Sequence, residues 1–174
     1  MPQIAKTTLL ACLLLACAAL VPIHAAEREQ VRMAVNLIAA VKMPFPENLS
    51  RNRARTQRAW LETTAAGACL RLEERRWCYE HMGPVGARAE MLRISNEPAG
   101  GVSVGQLHHY IDDFDLDGMI DLGSTTRIEG PREAPVALIA QFFHRGTSRG
   151  EQFRAEYQKM YDEGIQIALK YLGE

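Results

Sequence analysis

The chain has 174 residues, with 20 basic and 21 acidic side chains and a net charge of −1 when histidine is neutral. This balance argues against bulk electrostatic capture of nucleic acid or of an anionic membrane surface.

The first 26 residues have the pattern of a secretory signal peptide. Lys6 precedes an apolar run from Leu9 to Val21, and small residues follow at Ala25 and Ala26. The run is shorter than the ~20 residues of a membrane-spanning helix, so we expect cleavage after Ala25 or Ala26 rather than an uncleaved anchor. Cleavage removes Lys6 and no acidic side chain, which leaves 148 residues with 19 basic and 21 acidic side chains. That length is enough for one exported domain, residues 27–174.

Lipidation is the alternative outcome of export. Leu14, Leu15, Ala16 and Cys17 resemble a bacterial lipobox, in which the cysteine carries the lipid and begins the mature chain. Against it, residues 9–12 have the same form, and residues after the cysteine stay apolar where a polar tether is expected. We therefore expect a periplasmic or secreted protein with no transmembrane helix, and a membrane-anchored lipoprotein as the alternative.

Two cysteines remain after cleavage, Cys69 and Cys78, and an oxidising compartment favours a disulfide between them. Residues nine apart on one helix would lie about 13 Å from each other, beyond the reach of a disulfide. We therefore predict that the chain turns between them, near Glu73 and Glu74. The alternative takes both thiols, with His81, as ligands of a soft metal.

Helices are predicted before the cysteines, over residues 27–66. Apolar residues recur at helical spacing from Glu27 to Lys42, and Pro44 ends that pattern. A second helix is predicted from Ser50, which can serve as N-cap, to Ala66.

The region 68–128 changes character, because glycine and proline separate short runs such as Met91–Ser95 and Gln106–Asp112. These runs predict strands of a small sheet, although Leu107, Ile111 and Phe114 would also fit a short helix.

Helices are predicted again over residues 133–173. A short apolar helix is expected from Pro135 to Phe143, and a longer one from Phe153 to Tyr171, whose aromatic stripe predicts a core-facing side. The fold class is therefore α+β: a small single domain with N- and C-terminal helices packed on a short, mainly antiparallel sheet.

An acidic loop runs from Asp113 to Asp121, with carboxylates at loop positions 1, 3, 5 and 9 and Gly118 at position 6. A hard divalent cation takes six to eight oxygens at about 2.3 to 2.6 Å, and alternate residues of a tightly wound loop can point inward. Gly118 would supply the sharp turn, and Ile120 would anchor the loop in the core. The sequence predicts a Ca²⁺ site formed by Asp113, Asp115, Asp117, the carbonyl of Met119 and Asp121.

The loop resembles the DxDxDG loops of EF-hands and, more closely, those of FG-GAP-type propeller repeats, which continue as DGxxDL through Leu122. The resemblance covers about ten residues, so it implies a candidate site and no fold. An EF-hand has a bidentate glutamate at position 12, where this chain has Ser124, and continues into a helix, whereas residues 123–131 predict loop or strand. Propeller repeats come in several copies, and this chain has one. A missing ligand would come from water or a remote carboxylate such as Glu129.

Two alternatives concern what the loop does. Without an ion, its aspartates would cap backbone groups of a turn. In a metal-dependent hydrolase, His108 or His109 would share the site, although neighbouring residues of a strand face opposite sides. No local catalytic motif accompanies them. We therefore expect a calcium-binding or structural protein of the cell envelope rather than an enzyme, with an envelope hydrolase or a secreted effector as alternatives.

Overall fold

The computed structural model describes residues 25–41, 58–64, 67–74, 76–82, 90–97, 104–131, 134 and 136–174. The predicted signal segment and Cys17 lie outside these residues. In chain order the elements are α1 (Arg28–Val41), β1 (Ala59–Thr64), β2 (Gly67–Leu72), β3 (Cys78–Met82), β4 (Met91–Ser95), β5 (Leu107–Asp113), β6 (Leu122–Glu129), β7 (Val136–His144), a 3-10 turn (Glu151–Phe153) and α2 (Arg154–Leu172).

The strands of the described residues form one seven-stranded sheet in the order β1 to β7, and every neighbouring pair is antiparallel. Antiparallel neighbours need only short connections, so the chain meanders from one edge to the other. The described residues place one helix before the strands and one after them, so the predicted combination of terminal helices and an antiparallel sheet is confirmed.

One face of the sheet carries the core beneath α2. Gly123 leaves room for Tyr157 of α2, since a Cβ there would lie 2.4 Å from the tyrosine ring. In the same way Gly164 of α2 lies against Ile94, and its carbonyl accepts a 2.8 Å hydrogen bond from the hydroxyl of Tyr79. Successive cross-strand partners in this row are Leu61, Leu70, Tyr79, Ile94, Ile111, Gly123 and Phe143.

Both terminal helices follow their predicted periodicity. The buried residues of α1 are Val31, Ala34, Val35, Ile38 and Val41. Helix α2 buries Tyr157, Tyr161, Gly164 and Ala168 of the predicted stripe. The predicted strands are confirmed as well, as β4 and β5. Within the described ranges, neither helix combines the length and the apolar composition needed to span a bilayer.

The second predicted helix, Ser50–Ala66, is wrong over residues 59–64, which form β1; residues 50–57, 65 and 66 lie outside the described part. Strand β1 pairs with β2 over its whole length, from Ala59 opposite Leu72 onward. This pairing joins β1 to the sheet along its whole length, and it overrides the local helical pattern.

The short helix predicted from Pro135 to Phe143 is also wrong, because residues 136–144 form β7 at the edge of the sheet. Consecutive residues of a strand point to opposite faces of the sheet, and residues 136–140 are exposed on both faces. A strand with apolar residues on both faces lacks the alternating pattern of a half-buried strand, and its periodicity cannot be told from that of a short helix.

The predicted disulfide is confirmed: Cys69 of β2 is bonded to Cys78 of β3. The chain turns between them at residues 73–74, as predicted. The alternative in which both thiols and His81 bind a metal is therefore wrong. The imidazole of His81 instead lies 3.2 Å from a carboxylate oxygen of Glu90.

Candidate metal-binding loop

The acidic loop connects β5 to β6, and backbone and side-chain bonds fix its base. The N–H of Asp121 donates to the carbonyl of Asp112 at 2.9 Å and closes the hairpin. On β4, Arg93 lies opposite Asp112 and donates two hydrogen bonds to its buried carboxylate, at 2.7 and 2.8 Å. The two ends of the loop are therefore held together by the sheet.

Three carboxylates of the loop converge. One oxygen each from Asp113, Asp115 and Asp117 lies within 4.8 Å of the other two. Two oxygens bound to one calcium ion can be at most about 5 Å apart, since each lies within about 2.6 Å of the ion. The trio can therefore hold one metal ion. Asp113 is buried and Asp115 is exposed, so the cluster extends from the interior to solvent.

Asp113 is the interior end of the cluster. Its Oδ2 accepts hydrogen bonds from the hydroxyl of Tyr161 at 2.7 Å and from the N–H of Gly118 at 3.1 Å. Burial raises the pKa of Asp113, and the nearby charges of Asp117 and Asp115 act in the same direction, although the hydrogen bonds partly oppose the rise. The ionised form of this carboxylate is thus costly in the folded chain.

Tyr161 is a fixed donor to Asp113. Burial, followed by the charge of Asp113, raises the pKa of Tyr161 above its usual value, so the phenol keeps its proton at neutral pH. The hydroxyl therefore orients one oxygen of Asp113 and leaves the other directed towards the loop backbone, where it accepts from the N–H of Asp117 at 3.3 Å.

The loop is tightly wound, with Leu116 at φ 56° and Gly118 at φ 90°. A Cβ on Gly118 would lie 1.9 Å from the carbonyl oxygen of Ala26, so the segment before α1 packs directly on this turn. Leu116 and Ile120 are both buried in the hydrophobic core. The predicted roles of Gly118 as the turn residue and Ile120 as the core anchor are confirmed.

Asp121 is bound differently from the other predicted ligands. Its Oδ2 accepts from the N–H of Phe114 at 2.7 Å, and its Oδ1 lies 3.3 Å from a guanidinium nitrogen of Arg145. It does not belong to the converging trio. Its role as a metal ligand, like that of the Met119 carbonyl, stays a prediction.

Arg145, which follows β7, brings a positive charge to the loop. Its second guanidinium nitrogen donates to Oδ2 of Asp117 at 2.9 Å. Burial acts to raise the pKa of Asp117, but the hydrogen bond and charge of Arg145 outweigh it and bring the pKa below its usual value. One cation therefore already offsets part of the loop's negative charge.

Gln158 of α2 ties the loop to the helix. Its Oε1 accepts from the N–H of Ile120 at 3.1 Å, and its Nε2 donates to the carbonyl of Gly118 at 2.9 Å. The same nitrogen donates to Oδ1 of Asp162 at 2.9 Å, and this oxygen also accepts the N–H of Ala26 at 2.9 Å. A single buried amide thus joins the loop, α2 and the segment before α1.

Sequence reasoning missed Tyr161, Gln158 and Arg145. The helical spacing places Tyr161 in the core-facing stripe of α2, where it lies, but does not indicate that its hydroxyl reaches Asp113. It is 48 residues from Asp113 along the chain, and Gln158 is 38 residues from Ile120. The sequence offered one sign of these contacts. Gln158 lies next to the apolar stripe of α2, where the helical period predicts a buried side chain, and a buried amide needs hydrogen-bond partners.

The remote carboxylate suggested as a further ligand is wrong. Glu129 lies at the end of β6 away from the loop, seven residues or roughly 23 Å from Leu122. It pairs with Arg127 at 3.8 Å.

The histidines of β5 do not join the cluster. His109 is four residues from Asp113 along the strand, about 13 Å, and its Nδ1 lies 2.9 Å from the hydroxyl of Thr125. His108 is buried on the opposite side of the strand. Among the described residues, the one group of three or more metal-capable side chains is the aspartate trio, and it contains no histidine.

Comparison of the chain with protein families, with curated proteins and with solved structures found no match. The interpretation of the loop therefore depends on its residues and geometry. The segment after the loop is the strand β6, as the sequence indicated, where an EF-hand would continue into a helix.

Proposed function

We propose that this chain is an exported protein whose acidic loop binds one calcium ion, and that it acts as a binding or structural protein of the cell envelope. The observation that carries the proposal is the convergence of oxygens from Asp113, Asp115 and Asp117 within 4.8 Å. Three carboxylates supply an oxygen-only, strongly negative ligand set, which suits a hard cation and not a soft one.

Calcium fits such a loop better than magnesium. Magnesium demands near-ideal octahedral geometry and gives up its waters reluctantly, whereas calcium accepts six to eight oxygens in flexible arrangements. The further oxygens would come from water, the Met119 carbonyl and Asp121. Asp121 can contribute an oxygen if the ion replaces Arg145 as the partner of its carboxylate. Extracellular calcium would fill even a site with a dissociation constant of about 10⁻⁴ to 10⁻³ M.

The electrostatics of the loop support binding of a cation. The raised pKa of Asp113 reports that its charge is unfavourable in the folded chain, both because it is buried and because Asp115 and Asp117 are near. A divalent ion among the three would offset this cost. The same ion would favour the folded state by mass action, since the unfolded chain does not bring the oxygens together.

A structural role follows from where the loop sits. It contacts α2 through Tyr161 and Gln158, and it contacts the segment before α1 through Ala26. An ion in the loop would therefore stabilise the junction between the β5–β6 hairpin and both helices.

Export is supported by two independent features. The first 26 residues have the pattern of a signal peptide, and the bond between Cys69 and Cys78 is typical of proteins that fold in an oxidising compartment. Lipidation at Cys17 is the alternative, in which the same domain is tethered to a membrane.

Thermal unfolding with calcium and with a chelator tests the calcium proposal. At about 10 mM calcium, a site with a dissociation constant of 10⁻⁴ to 10⁻³ M should raise Tm by roughly 3 to 10 °C. Asp115→Asn should abolish this shift. Because Asp115 is exposed, and its described hydrogen bond is a 3.3 Å contact with the N–H of Asp117, the metal-free Tm should barely change.

Glu129→Gln is the matched control, since it removes a carboxylate from the other end of β6 and should keep the full calcium shift. Magnesium at the same concentration measures selectivity. A wild-type Tm that calcium does not move, or a shift that survives Asp115→Asn, would rule out this loop as the calcium site.

A further inference from the structure

Ala26, two residues before α1, is held on both sides of its backbone. The N–H of Ala26 donates to Oδ1 of Asp162 at 2.9 Å, and its carbonyl oxygen occupies the space where Gly118 would carry a Cβ. Ala26 itself is buried, with 7% of its surface exposed. Ala26 therefore packs against the folded domain.

The two cleavage positions that the sequence allows differ in what they do to these contacts. A cut after Ala26 removes both contacts from the mature chain. A cut after Ala25 keeps both and changes the chemistry of one, because the nitrogen of Ala26 then becomes a terminal α-amino group. The N–H of Ala26 is a neutral donor, whereas an α-ammonium group carries a full positive charge, so an ion pair would replace a hydrogen bond from a neutral group.

We propose that a signal peptidase hydrolyses the bond between Ala25 and Ala26, and that the new α-ammonium group of Ala26 binds the Asp162 carboxylate. Hydrolysis consumes one water and leaves a carboxylate on Ala25 and an ammonium group on Ala26. The inference rests on the export part of the proposed function and is independent of calcium.

The new terminus is linked to the acidic loop through Gln158. Its Nε2 donates both to Oδ1 of Asp162 and to the carbonyl of Gly118, and its Oε1 accepts the N–H of Ile120. Processing therefore completes a charge pair next to the amide that holds the loop. The mature domain is more stable than the same domain in its unprocessed form.

The position of the cut is tested by expressing the full chain in an exporting bacterium. N-terminal sequencing and intact mass of the purified protein should identify Ala26 as the first residue, with the mass of residues 26–174 less two hydrogens for the disulfide. A chain that begins at Glu27, a lipid-modified chain that begins at Cys17, or an uncleaved chain would each overturn the proposal.

The ammonium–carboxylate pair is tested with four proteins. Two of them begin at Ala26, and two begin at Ala25, so that the nitrogen of Ala26 is again an amide. One protein of each kind keeps Asp162, and the other carries Asp162→Asn. With Asp162, the added residue should reduce the folding equilibrium constant about three- to tenfold and lower Tm by roughly 2 to 4 °C, because the ion pair is lost. With Asp162→Asn, the added residue should have no such effect.

Glu156→Gln, a substitution at an exposed position of the same helix, is the control. In this variant the addition of Ala25 should lower the stability as much as it does in the chain with Asp162 and Glu156. Equal costs of the added residue with Asp162 and with Asp162→Asn would show that no charge pair forms. Calcium melting shifts measured on the same proteins separate the two proposals, because the terminus can pass this test whether or not the loop binds calcium.

Discussion

Replacement of Gly118 by alanine should destabilise the domain more than an ordinary glycine substitution. Gly118 has φ 90°, and an added Cβ would lie 1.9 Å from the carbonyl oxygen of Ala26. Atoms cannot approach so closely, so either the loop or the segment before α1 must move.

The magnitude follows from two contributions. A left-handed backbone costs a residue with a Cβ about 1 to 2 kcal/mol. Forcing extra volume into a packed site costs about 1 to 3 kcal/mol more. We therefore expect Gly118→Ala to lower the free energy of unfolding by about 2 to 5 kcal/mol, which is a large part of the stability of a typical domain.

Gly105→Ala is the matched control. Gly105 has φ 84°, but no atom lies within 4 Å of the Cβ it would gain. Its cost should be the backbone contribution alone, about 1 to 2 kcal/mol. Denaturant unfolding of both variants without calcium, analysed as a two-state transition, gives the difference.

A chain that begins at Glu27 lacks Ala26 and completes the test. In that background the extra cost of Gly118→Ala over Gly105→Ala should disappear. Two results would refute the packing of this segment on the loop. One is an equal loss of unfolding free energy for Gly118→Ala and Gly105→Ala in the chain that contains Ala26. The other is an extra loss for Gly118→Ala that persists in the chain without Ala26.

Two further predictions concern charge. Arg145→Ala removes a cation from beside two loop carboxylates, so calcium should bind about three- to tenfold more tightly in calorimetric titration. Arg127→Ala is the control and should leave the calcium affinity unchanged. Weaker calcium binding after Arg145→Ala would contradict competition between Arg145 and the ion for these carboxylates. Burial lowers the pKa of His109 below its usual 6.5, so the unfolded chain gains the proton first as pH falls and stability is lost below about pH 6.5. His109→Gln should make Tm less sensitive to pH between about 7.5 and 5, and an unchanged slope would show that another group is responsible.

The features that could be read from the sequence depend on short-range order. The spacing of the carboxylates identified the loop, because the bonds that wind it join residues two to seven apart, such as Asp117 with Met119 and Phe114 with Asp121. Helices α1 and α2 follow a 3.6-residue period. The turn between Cys69 and Cys78 followed from the limited reach of a disulfide.

Strands β1 and β7 could not be identified in this way. Pairing with β2 makes residues 59–64 a strand, and the position of β7 at the sheet edge leaves residues 136–140 exposed. Neither partner nor position is encoded within the segment itself, since strand pairing depends on which chain lies alongside.

The sequence by itself determined the place of the acidic loop, its turn glycine, its core anchor and the disulfide. Tertiary structure alone decided the environment of the carboxylates: Tyr161 and Gln158 reach the loop from α2, and Arg145 reaches it from beyond β7. The physical reason is that a wound loop is specified by neighbours along the chain. The charge, burial and hydrogen bonds that tune it come from residues brought near only when the sheet and helices pack.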